Sequence, residues 1–453
     1  MDERTGARSA PLHRIRIIGG GLAGSECALG LARLGPAVAL IEMRPIRTTP
    51  AHTTANLAEL VCSNSFRSTA LTNAVGLLKR ELELLSSPVM AAASEARVPA
   101  GDAFAVDRER FSAAVTAAVA HEPGIRVVRE EATSLDRDGC DALVVATGPL
   151  TSQRLFDAIR VAVGGDDLYF YDAIAPIVAA DSLDFSKLYW KSRYDKGGSR
   201  DYLNAPMTKD EYLAFVEAVL AAELFPLHDF EKAVHFEGCL PIEEIAARGV
   251  ETLRYGPMKP VGLEDPRTGE TPYAVVQLRK EDLSDEYFNL VGFQTKMTIP
   301  AQKRVLATIP GLETCSVARW GSMHRNTFLN GPRHLTNTFH LRSDPRLFFA
   351  GQITGVEGYL ESAATGHLVA LYADAALRGA QPRALPYHTA LGALGRHVAE
   401  SSPDRYQPSN VTWALIEDRT RGIRKKEARR LEQARLALET IGEIAAGRPA
   451  SVA

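Results

Sequence analysis

Two of the five cysteines sit in settings that suit a reactive thiol. Cys62 lies in Leu60-Val61-Cys62-Ser63-Asn64-Ser65-Phe66-Arg67, a run of short polar side chains like a loop shaped for a ligand. Cys239 lies in Phe236-Glu237-Gly238-Cys239-Leu240-Pro241-Ile242-Glu243. The glycine before it and the proline two residues after it predict a fixed turn that presents the sulfur. A free thiol is only a few per cent ionised near neutrality, so a nucleophilic cysteine needs a cation or a base nearby. Arg254, Lys259 and His235 are the candidates close to Cys239, and Glu237 and Glu243 would act in the opposite sense. The alternative for either cysteine is inert burial as a small apolar residue. That alternative is the reading for Cys27, on the first helix; Cys140 and Cys315 carry no assigned chemistry. No Cys-x-x-Cys pair exists, and the 11 histidines form no His-Glu-x-x-His cluster, so no metal site is expected. Sparse, unpaired thiols fit a reducing, cytoplasmic compartment.

A second constellation is a glycine turn. Arg14 to Ile18 is an apolar strand that runs into Gly19-Gly20-Gly21-Leu22-Ala23-Gly24, a helical stretch from Ser25 to Leu34, and a second apolar strand from Ala37 to Ile41 closed by Glu42. This is a βαβ unit carrying the G-x-G-x-x-G fingerprint of dinucleotide binding. Gly19 permits the tight turn, Gly21 lets backbone approach a pyrophosphate, and Gly24 lets helix and strand pack closely. The helix N-terminus offers N–H groups to the phosphates, and Glu42, 23 residues after Gly19, suits a ribose hydroxyl. A packing turn with no ligand is the alternative, and the strand–helix–strand–acid context argues against it. Two further strand ends favour FAD over a nicotinamide as resident cofactor. Leu143 to Ala146 ends in Thr147-Gly148, and Leu347 to Ala350 ends in Gly351-Gln352, followed by Gly355, Gly358 and a helix. Small residues there let backbone lie along an extended flavin nucleotide, and a helix N-terminus can face a reduced flavin.

These motifs need a large scaffold, and 453 residues supply one: two or three domains, or one α/β domain with an insertion. Apolar residues make up 45% and charged residues 24%, which excludes disordered, collagen-like and disulfide-stapled classes. No apolar run of about 18 residues is present to span a bilayer, and the polar first 13 residues do not read as a secretory signal, so no membrane partner is expected. The expected fold is α/β. A Rossmann-like FAD-binding domain is discontinuous over 1–180 and 331–400, an α/β domain is inserted at 181–330, and a basic helical tail covers 401–453, with helix from about Asn410. Other strands are expected at Ile125 to Val128 and Tyr273 to Leu278, with helices at Lys209 to Leu224 and Ala364 to Arg378.

The net charge of −3 gives no global sign of a nucleic-acid partner, so an RNA surface must be local. Between Asp418 and Leu436 stand eight basic residues: Arg419, Arg421, Arg424, Lys425, Lys426, Arg429, Arg430 and Arg435. Such a segment suits phosphate contacts, with a solvated charged helix face as the alternative. In Tyr189-Trp190-Lys191-Ser192-Arg193-Tyr194 aromatic and basic residues interleave as a platform for an unstacked base would.

Taken as an ordered set, these segments resemble the folate- and FAD-dependent tRNA (uracil-5-)-methyltransferases, the TrmFO family. The resemblance rests on Gly-Gly-Gly-Leu-Ala-Gly-Ser-Glu at 19–26, Ala-Glu-Leu-Val-Cys-Ser-Asn-Ser at 58–65 and Glu-Gly-Cys-Leu-Pro-Ile-Glu at 237–243. Tyr-Gly-Pro-Met-Lys-Pro-Val-Gly-Leu at 255–263, Val-Gly-Phe-Gln-Thr-Lys at 291–296, Met-His-Arg-Asn-Thr-Phe at 323–328 and Ala-Gly-Gln-Ile-Thr-Gly-Val-Glu-Gly-Tyr at 350–359 complete it. It implies methyl transfer to C5 of a T-loop uridine, position 54 of tRNA. Carbon would come from 5,10-methylenetetrahydrofolate, and electrons from NADH or NADPH through FAD. It also implies Cys239 as the nucleophile at C6 and Cys62 as its catalytic partner, with His324, Arg325 and Asn326 as candidates for the folate slot. A related branch acts on ribosomal RNA. Two other functions stay open at this point: a flavin oxidoreductase for a small molecule, and a non-enzymatic flavin-bound RNA- or partner-binding protein.

Overall fold

The computed structural model describes residues 13–49, 51–165, 168–195, 201–225, 240–282, 284–420 and 422–447, with backbone alone for 168–174 and 322–326. Six strands form the first sheet, in the spatial order His340–Leu341, Asp344–Phe349, Ala142–Val145, Arg14–Ile18, Ala37–Glu42, Ile125–Arg129. The last five are parallel to one another, and the His340–Leu341 strand closes one edge as an antiparallel hairpin. Ile15 pairs with Val38 on one side and Ala142 on the other, and both faces of this central strand are covered. Continuous apolar runs are what a parallel sheet buried on both faces requires. The connections from Arg14–Ile18 lead first to one neighbour, and the chain later returns on the other side. This places a topological switch point at the carboxyl end of that strand, where α/β sheets bind ligands. Helix Leu22–Leu34 packs on helix Tyr359–Leu377, where Gly366 approaches so closely that a Cβ would lie 2.2 Å from the Ala23 carbonyl oxygen.

A second sheet is antiparallel throughout, in the order Tyr189–Trp190, Tyr202–Met207, Ala274–Lys280, Tyr287–Leu290, Ile177–Ala179, Val317–Arg319. Its core is separate from the first. Tyr212, Phe215, Val216 and Val219 of helix Lys209–Leu220 pack with Ala301 and Val305 of helix Ile299–Leu306. Helix Lys209–Leu220 starts at a Thr208/Glu211 capping box. The chain leaves the first core after Val163 and rejoins it at Leu329. A two-stranded ladder, Leu168–Ile174 against Ser322–Phe328, carries both crossings. The second sheet takes in Ile177–Ala179, a little ahead of the expected start at Asp181.

The tail departs from expectation. Helix begins at Lys426, not near Asn410, and runs to Ala445. The stretch before it is tied down by side chains: the Val411 amide donates to Glu361 and the Trp413 indole to the Thr72 carbonyl. Gly422, at φ 80°, holds a left-handed turn that a helix cannot contain. Ala434, Ala437 and Ile441 then insert into the first core, so the tail is integral to that lobe. Among the described residues no helix is long and apolar enough to cross a membrane.

Candidate active site

A cleft opens at the carboxyl ends of the parallel strands. Of the residues expected to hold a dinucleotide, Gly19, Gly21, Leu22, Ala23, Glu42, Thr147, Gly148, Gly351 and Gln352 line it. Gly19 has φ 102°, and a Cβ on Gly24 would lie 1.8 Å from the Gly19 carbonyl oxygen, so turn and helix are compatible only with glycine at both places. Gly21 differs: a Cβ there would meet nothing within 4 Å. That open space lies before the N-terminus of helix Leu22–Leu34, which no side chain caps. The residues present therefore fit a pyrophosphate. Gly20 sits behind the turn, against Leu57 and Glu42. Gly355 lies off the cleft; its φ of 90° and the Tyr406 phenol packed against it account for the glycine.

Glu42 is buried and closely held. Its carboxylate accepts the Gly20 amide at 2.9 Å, the Arg44 amide at 2.9 Å and Arg44 Nε at 3.0 Å. Burial alone would raise its pKa, but the Arg44 charge and these bonds outweigh it and hold the carboxyl below its usual range. Arg44 Nη1 also donates to Glu59 at 3.0 Å, and Glu59 in turn binds Thr53 and Thr54. Beside this chain of charges stands His52. Thr49 Oγ1 already accepts the amides of Ala51 and His52, so its proton goes to His52 Nδ1 at 2.6 Å. The imidazole is thereby assigned the Nε2–H tautomer, a neutral donor on the cleft wall. Burial, then the Arg44 charge, push its pKa down to about 4.

The Cys62 loop borders the cleft, where Val61 and Tyr359 contribute to its wall. Tyr359 Oη accepts the amides of Cys62 at 2.7 Å and Ser63 at 3.1 Å, and lies 3.0 Å from Cys62 Sγ. With both lone pairs engaged, the phenol has only its proton left to offer, and the sulfur is the acceptor. Burial and the neighbouring sulfur push the Tyr359 pKa well above its ordinary value, so it stays a donor. Arg108 and Arg319 lie within electrostatic reach of the same sulfur. Arg108 donates to the Leu60 carbonyl at 3.0 Å and forks onto Glu281 at 2.5 and 3.3 Å; Arg319 donates to the Ala51 carbonyl at 3.2 Å.

Cys239 and His235 lie outside the described residues. Arg254 donates to the Tyr273 carbonyl and stacks on that ring, engaged in its own lobe. His324, Arg325 and Asn326 pair with Asp172, Tyr171 and Phe170 along the ladder. That strand packs against the turns Gly148–Leu150 and Gln352–Thr354, with Thr327 Oγ1 donating to the Pro149 carbonyl at 3.2 Å, and none of these three positions is among the described residues that line the cleft. Cys27 is fully buried, and burial raises its thiol far out of reactive range. Burial likewise pushes Cys315 up to about 11.

The aromatic platform does not form as expected. Tyr189 is buried, donating to the Leu263 carbonyl, and Trp190 packs on Phe288; Tyr194 alone of the three is strongly exposed. In the tail, Arg435 pairs with Glu432 and Glu439, and Arg430 folds back onto the Thr72 carbonyl and Trp413. Arg429 lies 3.8 Å from Asp418. Arg424, Lys425 and Lys426 are exposed, without a carboxylate partner among the described residues. Sequence reasoning missed Arg44, His52, Glu59, Arg108, Arg279, Glu281, Arg319 and Tyr359. The one local signal was Glu42-x-Arg44, where alternate residues at a strand end share a face.

The family described as "Glucose inhibited division protein A" matches residues 14–381. Among similar proteins, the "Methylenetetrahydrofolate--tRNA-(uracil-5-)-methyltransferase TrmFO" of Geobacter sulfurreducens is 56% identical over 430 residues, 95% of this chain and 98% of its own. Its namesake from Natranaerobius thermophilus is 51% identical over 95% of this chain and 99% of its own. Among solved structures, Aquifex aeolicus GidA aligns with a TM-score of 0.66 at 17% identity, over 95% of this chain and 76% of that one. This last likeness is one of fold.

Proposed function

The chain belongs to the glucose-inhibited division protein A family and, within it, to the TrmFO proteins, and from that premise we propose that it methylates C5 of a uridine in tRNA with carbon from methylenetetrahydrofolate. The observation that carries this reading is a thiol–phenol pair, Cys62 and Tyr359, whose phenol lines a cleft that fits a dinucleotide. FAD is the cofactor; when bound it supplies the electrons, drawn from NADH or NADPH, that reduce the transferred carbon to a methyl group. Gly21 and the first turn of helix Leu22–Leu34 would hold its pyrophosphate, Glu42 a ribose, and Thr147, Gly148, Gly351 and Gln352, which line the cleft, its length.

Uracil C5 is a poor nucleophile until C6 is attacked. The Cys239 thiolate forms a bond to C6, and the C5–C6 π electrons move into the ring carbonyl as an enolate. C5 then takes the methylene carbon as it departs one folate nitrogen; the Cys62 thiolate removes the C5 proton, the carbon's remaining nitrogen leaves with tetrahydrofolate, and the exocyclic methylene takes a hydride, which reduced FAD would supply when bound, to become methyl. Expulsion of the Cys239 thiolate restores the ring. The Tyr359 hydroxyl, Arg108 and Arg319 favour the ionised form of Cys62. The pterin slot is assigned to His324, Arg325 and Asn326 on the family resemblance. Arg424, Lys425 and Lys426, joined by the exposed Arg429, meet RNA phosphates, and the base leaves its stack to reach the cleft. The target is uridine 54 of the T-loop, in the cytoplasm.

The test is to mix the FAD-loaded protein with methylene-labelled folate, a reduced nicotinamide and unmodified tRNA. Labelled 5-methyluridine at that position is expected from the parent, and none from a folded, flavin-loaded Cys239→Ala variant.

A further inference from the structure

The thiol loop is gripped from the second lobe by three consecutive residues. At the end of strand Ala274–Lys280, Arg279 Nε donates to Asn64 Oδ1 at 3.0 Å and its Nη2 to Ser63 Oγ at 3.1 Å. Asn64 Nδ2 donates back to the Lys280 carbonyl at 2.8 Å. Glu281, the next residue, receives the Arg108 fork whose remaining arm holds the Leu60 carbonyl. Both flanks of Cys62 are thus fastened to residues 279–281, while the Cys62 amide and sulfur meet Tyr359 of the first lobe. Asn64 is 0% exposed, and both ends of its amide are spent on the second lobe. Another contact between the lobes, the Gly101 amide on Asp201, does not involve this loop.

We propose that Arg279 is a positioning residue for the Cys62 sulfur, acting through Asn64 and Ser63, so that the second lobe sets how the thiol stands against Tyr359. The guanidinium fork makes this specific. Its two donors fix two successive side chains in one plane, which a lysine's single ammonium cannot reproduce. A ligand seated on the second lobe then bears on the sulfur through Arg279 and Lys280, without touching the thiol itself. The catalytic meaning rests on the role of Cys62 proposed above; the positional claim does not.

The test follows alkylation of Cys62 by iodoacetamide against pH, resolved by peptide mass, on full-length protein loaded with FAD. Flavin absorbance and thermal unfolding report the fold. Arg279→Met and Asn64→Ala are expected to change the Cys62 rate at neutral pH by about tenfold and to displace its pH midpoint, with Cys239 within about twofold of the parent. Arg279→Lys should fall between. Asp201→Asn, which loosens a lobe contact away from the thiol, should leave the Cys62 profile unchanged. In the methylation assay the first two variants should lower kcat by about tenfold with KM for tRNA nearly constant. A parental Cys62 profile in folded Arg279→Met and Asn64→Ala overturns the proposal, as does an equal shift in Asp201→Asn. Should the drastic variants lose their flavin, Arg279→Lys decides, and a parental profile there is equally fatal. A parent that alkylates normally but methylates nothing defeats the proposed function and leaves the positional comparison standing.

Discussion

The phenol of Tyr359 and the sulfur of Cys62, 297 residues apart in sequence, lie 3.0 Å apart. The same oxygen accepts the amides of Cys62 and Ser63, so one hydroxyl fixes both the path of the loop and the charge preference of its thiol. Tyr359→Phe removes all three bonds. The two orphaned amides should cost about 1–3 kcal/mol of stability, and methylation should slow by about ten- to a hundredfold. The pH midpoint of Cys62 alkylation should rise, because the thiolate loses a donor. Thermal unfolding and a thiol titration check the two effects separately.

The Arg108–Glu281 pair joins the lobes beside the thiol. Glu281→Gln leaves the Arg108 charge without its counter-ion in a largely dry setting, and should destabilise by about 3 kcal/mol. The double substitution Arg108→Met with Glu281→Met should cost less than that, since no lone charge remains. Denaturant midpoints for the single and double variants decide the order.

His52 supplies a pH dependence. Its folded-state pKa, near 4, lies below the ordinary histidine value, so between about pH 6.5 and 4 the unfolded chain binds a proton that the folded chain refuses. Its contribution is full above that window and is lost as the pH falls through it. Replacing it by glutamine should reduce the acid-side slope of unfolding free energy against pH by up to one proton's worth. Denaturant titrations at a series of pH values measure that slope in both proteins.

The tail makes a charge-specific prediction. Reversing Arg424, Lys425 and Lys426 to glutamate should weaken tRNA binding and flatten its salt dependence by up to about three phosphate contacts, with flavin content unchanged. Arg435→Ala should do neither, because Glu432 and Glu439 already engage that guanidinium. Filter-binding isotherms at several salt concentrations separate the two.

The parts legible in the sequence are local. The glycine turn, its flanking strands and Glu42 fall within 29 residues, where apolar runs and small residues leave one solution. The thiol loop could be picked out by composition, but its neighbours could not. Tyr359, Arg108, Arg279 and Glu281 reach Cys62 or its flanks only after the two lobes close around the loop. Tyr189 and Trp190 misled because a two-residue strand is too short for alternation to reveal which side faces the core. The tail helix starts later than expected because bonds to Glu361 and the Thr72 carbonyl hold the chain after Asn410 and Gly422 then turns it.

The most direct measurement is the fate of the folate carbon. The FAD-loaded parent, given labelled methylenetetrahydrofolate, reduced nicotinamide and unmodified tRNA, is predicted to place the label in 5-methyluridine of the T-loop. TRNA left unlabelled by a fully flavin-loaded protein, whether or not ribosomal RNA takes up the carbon instead, would contradict the account.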